Sequence, residues 1–112
     1  MMVGLVAFLH ACFLVLEMFL WDRPVGMKIF GHTADIARQT RILAMNQGLY
    51  NGFLAAGLVW GLWLGAAGEA VKIFFLCCVI IAGVFGAMTA SRKILLFQAL
   101  PAVLALILVL LS

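Results

Sequence analysis

Long apolar runs alternate along this chain with short polar interruptions, and within each run the apolar positions are continuous rather than every second residue. Four runs stand out, at residues 2–21, 43–66, 70–90 and 94–111. As helix, at about 1.5 Å per residue, each is long enough to cross a hydrocarbon core of about 30 Å. A spanning segment must satisfy its backbone groups internally or in a closed barrel. Unbroken apolar runs select helices over barrel strands. The pattern predicts an all-α protein: a four-helix transmembrane bundle, antiparallel up-down, forming a single integral membrane domain over residues 1–112.

The interruptions refine this picture. Those near residues 68–69 and 91–93 are short and force neighbouring helices to run antiparallel. The first, residues 22–42, is longer. Pro24 is expected to stop the first helix. Thr33 is placed to cap a new one, with Asp35 in its first turn. That helix should run on into the second span and project beyond the membrane.

Composition agrees with the pattern. The chain is 68% hydrophobic and 10% charged, outside the range of soluble domains. Its formal charge of +3 is better read as topology than as nucleic-acid binding. Arg23, Lys28, Arg38, Arg41, Arg92 and Lys93 fall on one side of the predicted bundle, and Lys72 on the other. Cationic loops stay cytoplasmic, so the first and third loops are expected inside and both termini outside a bacterial cytoplasmic (inner) membrane. Lys28, His32, Arg38 and Arg41 would attract anionic headgroups there. No basic segment precedes the first apolar run, so a cleaved signal peptide is not expected. The stretch LHAC, residues 9–12, has too short an apolar leader for a lipoprotein site.

Cys12, Cys77 and Cys78 lie inside predicted spans and have neither CxxC nor zinc spacing, so they read as small apolar helix residues. No metal site and no cofactor is expected. Haem would want two placed axial ligands, and only His10 lies in a span.

The polar residues carry the functional question. NQGLYNGF, residues 46–53, brings amides into the second span. At about 100° per residue, Asn46, Tyr50, Gln47 and Asn51 fall near 0°, 40°, 100° and 140°, one broad face. Gly57, Gly61 and Gly65 continue down that side, and small residues at such spacing let another helix approach. Gly86 belongs to a similar small-residue row on the third span. Span one offers Glu17 and, two turns deeper, His10. Span three ends with Thr89 and span four carries Gln98 one turn from its start. Alternating direction brings Glu17, the Asn46–Asn51 group, Thr89 and Gln98 to one depth. Interhelical amide bonds also serve as plain packing glue, and Tyr50 also suits an interfacial anchor. An ionisable group inside a span, by contrast, defaults to a functional reading.

His10, Glu17 and Trp21 in span one, NQGLYNGFLAAG at residues 46–57, GVFGA at 83–87 and QALPA at 98–102 together resemble a small bacterial membrane family, the domain of unknown function numbered thirteen-oh-four. The resemblance covers essentially the whole chain. It implies a four-span inner-membrane protein and supplies no reaction, so no site role is carried over.

Three readings stay open on sequence, and whether the protein is an enzyme stays open with them. The first is a small membrane protein that binds, or acts by acid–base chemistry on, a lipophilic molecule. Glu17 would exchange the proton, His10 would be its deeper partner, and Asn46, Gln47, Tyr50, Asn51 and Gln98 would orient the ligand. The second is a proton-coupled exporter of the small-multidrug-resistance type, with Tyr50, Trp60 and Trp63 as aromatic contacts to a cation. The strong charge bias and the position of Glu17 near its span's end speak against it. The third is an accessory subunit or homo-oligomer docking through its glycine rows.

Overall fold

A computed structural model describes residues 1–90 and 92–112. Ser91, expected in the third connection, lies outside the described residues. The described chain is all helical: α1 (Met2–Met18), α2 (Pro24–Phe30), α3 (Ala34–Trp63), α4 (Glu69–Thr89) and α5 (Arg92–Leu111). Two segments, Gly65–Thr89 and Arg92–Leu111, are long and apolar enough to cross a membrane. Helix α1 is as apolar but has 17 residues, while α3 has 30 with a polar first half.

Helix α1 ends at Met18, a turn short of the expected Trp21. Pro24 does not merely stop a helix; it opens one. Its ring presets the helical φ, and its missing N–H falls where no intrahelical acceptor exists. The seven-residue α2 closes at Gly31, whose φ of 71° is left-handed and whose N–H reaches the Met27 carbonyl. Thr33 then starts α3 as expected. Its Oγ1 accepts the Ile36 N–H at 3.3 Å, its carbonyl accepts the Ala37 N–H, and Asp35 lies in the first turn.

Gly65 was expected in the packing row and is placed otherwise. It ends α3 with a φ of 63°, and a Cβ there would meet nothing within 4 Å. Its role is the left-handed turn that leads into the short 3-10 segment Gly65–Gly68. Helix α5 carries a π turn at Leu95–Ala99, closed by the Leu100 N–H on the Leu95 carbonyl. Pro101 explains its place. Proline has no N–H for the carbonyl four residues back and crowds it sterically, and a widened turn relieves the clash.

The helices fall into two compact units. One comprises Met1–Leu9 and Leu54–Ser112. Its core joins Val3, Val6 and Ala7 of α1, Leu58 of α3, Leu76 and Val79 of α4, and Ala102, Ala105 and Val109 of α5. Small residues set the helix approaches. Gly57 lies under the Phe75 ring, Gly61 against Lys72 and Gly68, and Gly86 against Ile94. A Cβ on Gly83 would stand 2.8 Å from Ala99 Cβ and 2.9 Å from Ala99 N. Because Gly83 meets Ala99 while Gly86 meets Ile94, α4 and α5 run antiparallel.

The other unit, His10–Phe53, comprises the second half of α1, all of α2 and the first part of α3. Here Leu14 meets Gly52 while Met18 meets Gly48, so these helices are also antiparallel. The face that α3 buries in this unit is Ala37, Ala44, Gly48 and Asn51. At about 100° per residue these positions span only about 60°. This seam is narrow and built almost wholly of small residues.

Candidate functional site

The polar exception on that seam is Asn51. It is 5% exposed, and its Nδ2 donates to Glu17 Oε1 across the α1–α3 contact. Glycine makes the contact close. Neither Gly48 nor Gly52 brings a side chain between the helices, and a Cβ on Gly48 would lie 3.1 Å from Glu17 Cβ. The half-buried carboxyl group of Glu17 is therefore oriented by an amide from the facing helix. Two turns towards the N-terminus on α1, roughly 10 Å by helical rise, His10 is fully buried, with its ring edge-on to Phe13 at 5.4 Å.

The remaining amides do not share the seam with Asn51. Asn46, Gln47 and Tyr50 are all exposed, and Asn46 Nδ2 donates to the Ile42 carbonyl one turn back in its own helix. Helical arithmetic gives the reason, because Asn46 lies about 140° and Tyr50 about 100° from Asn51, well outside the seam. Gln47, about 40° away, stands at its edge. Gln98 belongs to the first-described unit, half-buried in the π turn of α5. Thr89 donates its hydroxyl to the Phe85 carbonyl within α4.

Gly48 and Gly52 were passed over in the sequence, although their spacing of four residues within NQGLYNGF is the signal for close helix approach. A second polar link also went unread. Trp21 Nε1 donates to Thr40 Oγ1 at 3.0 Å, and Thr40 donates in turn to the Ile36 carbonyl. His32 Nε2 lies 2.9 Å from the Trp21 carbonyl, which as an acceptor requires the proton on that nitrogen. The His32 and Trp21 rings stack at 4.2 Å. Together these contacts hold the segment between α1 and α3.

The charges of the first connection are partly spent on one another. Arg38 pairs with Asp35, and Arg41 approaches Asp22 at 3.8 Å. Elsewhere, a shallow groove of about 260 Å³ runs between Ile80 and Val84 of α4 and Leu95, Leu96 and Leu100 of α5. Its lining is apolar throughout and includes none of the polar residues described above. No cluster of potential metal ligands occurs among the described residues.

The described residues thus form an all-helical chain with two segments long and apolar enough to cross a membrane and a carboxyl group paired with an amide between two helices. The profile of the family described as "Protein of unknown function (DUF1304)" matches residues 4–110, and the chain belongs to that family. It is also 29% identical over 94 residues to the uncharacterised protein YpaA of Lactococcus lactis subsp. lactis (strain IL1403), covering 82% of this chain and 79% of that one. No solved structure matches.

Proposed function

We propose that this chain is a four-span protein of the bacterial cytoplasmic membrane, with α1, the apolar part of α3, α4 and α5 as its spans and both termini outside. Its site binds a lipophilic small molecule through a polar group of that molecule and exchanges a proton with it at Glu17. The observation that carries the reading is the Asn51–Glu17 hydrogen bond. A carboxyl group in an apolar helix is expensive in lipid, yet here a facing amide fixes one of its oxygens. A group with a placed oxygen can hold or release a proton at a defined point, the requirement of acid–base chemistry. His10 lies two turns deeper on the same helix, roughly 10 Å away, so a proton passes between it and Glu17 only through the bound molecule's polar group or water. Gln47, at the edge of the seam, is the remaining amide within reach of a bound polar group. The exporter reading draws less support, because Tyr50, Trp60 and Trp63 are 58%, 52% and 81% exposed.

The test is recovery of the native ligand. Wild-type protein is extracted directly into lipid nanodiscs, alongside Glu17→Gln and Asn51→Leu variants of matched helicity. Bound small molecules are then identified by mass spectrometry. A lipophilic species enriched on the wild type should fall at least tenfold on both variants. Identical profiles for all three would reduce Glu17 and Asn51 to scaffold.

A further inference from the structure

We infer that α2 is an interfacial anchor that selects anionic lipid headgroups. This deepens the membrane reading above and rests on it. The helix is tied to its own unit on one side only. Gly26 is buried against the Leu20 carbonyl, and the Phe30 ring packs at a tilt against the Trp21 ring, 4.8 Å between centroids. The other side carries Val25, 48% exposed, and Ile29, 52% exposed, which share one face at the i, i+4 spacing. Exposed Lys28 stands on the same helix, and exposed Arg23 is its N-cap.

Charge decides the partner. Of the cations in this connection, Arg38 and Arg41 have Asp35 and Asp22 beside them. Among the described residues, neither Arg23 nor Lys28 has a carboxylate within ion-pair distance. The uncompensated positive charge therefore sits beside the exposed Val25–Ile29 pair, on Arg23 and Lys28, and not on α3. A short apolar face with two free cations beside it matches the boundary of an anionic leaflet, where acyl chains meet phosphate. A soluble acidic partner would be drawn by the charge but would give the two aliphatic side chains nowhere to go. His32, whose Nε2 already faces the Trp21 carbonyl, is not part of this surface.

The experiment uses the full chain in phosphatidylcholine vesicles doped with spin-labelled phosphatidylglycerol or spin-labelled phosphatidylcholine. Electron paramagnetic resonance reads the fraction of each lipid held at the protein. The wild type should prefer phosphatidylglycerol several-fold, falling to about onefold in Arg23→Gln/Lys28→Gln, since each surface cation contributes roughly a fivefold attraction at most. Arg38→Gln/Arg41→Gln should keep the preference. Val25→Ser/Ile29→Ser should weaken it even at unchanged charge, whereas an unchanged preference would show that no apolar seat is involved. An absent preference in the wild type, or its loss only with the α3 arginines, overturns the proposal. Vesicle flotation of every variant separates the two levels. Failure to float contradicts membrane residence itself, while flotation without selectivity contradicts only the anchor.

Discussion

A methyl group added at Gly48 would stand 2.6 Å from Met18 Cγ and 3.1 Å from both Glu17 Cβ and the Leu14 carbonyl. The Met18 side chain can swing away, but the Leu14 carbonyl belongs to the α1 backbone and cannot. Gly48→Ala should therefore push α1 off α3 at the level of the carboxyl group. The expected cost is about 1–3 kcal/mol, as for other overpacked contacts, measured by reversible unfolding in mixed micelles. Wild-type stability would mean that the helices are not in contact there. The same scale shows what was legible beforehand. Glu17 and Asn51 could be named because an acid and an amide in apolar helix are conspicuous by type. Sequence could not tell which amide faces inward, because Asn46, Gln47, Tyr50 and Asn51 occupy a face about 140° wide. Only about 60° of α3 is covered by its neighbour in that unit, and the position of Gly48 decides which part.

At the scale of elements, continuous apolar runs pointed to helices, while local backbone chemistry decided their ends. Pro24 and Gly31 bracket α2 in the order that helix termini favour, proline inside the start and glycine past the end. The signal was present, but seven residues are too few to show a period. The π turn at Leu95–Ala99 is likewise a consequence of Pro101 that hydropathy cannot register. That turn brings Ala99 against Gly83, where an added Cβ would lie 2.9 Å from backbone N and 3.1 Å from Cα. Neither atom is free to move. Gly83→Ala should lower the unfolding midpoint of the protein in detergent, by more than Gly4→Ala does, because a Cβ at Gly4 meets only Leu62 Cδ1, at 4.0 Å. The reverse order would deny the close approach of α4 and α5.

For the whole molecule, hydropathy and charge pull on different parts of the chain. Two segments meet the length and apolarity needed for crossing, whereas α1 falls short in length and α3 is diluted by its own amides. The four-span proposal draws support from three polar groups of α1 and α3: His10, which is buried, and Glu17 and Asn51, which face each other, whereas Asn46, Gln47 and Tyr50 are exposed. Its topology is open to a direct check with fluorescent-protein and alkaline-phosphatase fusions. A fusion after Ser112 should be dark as fluorescent protein and active as phosphatase, and one in the 22–33 connection the reverse. A bright fusion after Ser112 would place that terminus inside and invert the assignment of the cationic loops.

The account depends most on the Glu17–Asn51 contact, and a double-mutant cycle reads that contact alone. Glu17→Leu, Asn51→Leu and the double variant are unfolded reversibly in bicelles beside the wild type. A real interhelical hydrogen bond should make the two single losses non-additive by about 0.6 kcal/mol, the average for such bonds in membrane proteins, and by no more than about 1.7 kcal/mol. Losses that simply add, within about 0.3 kcal/mol, would show that the carboxyl group and the amide never meet, and the proposed site would go with them.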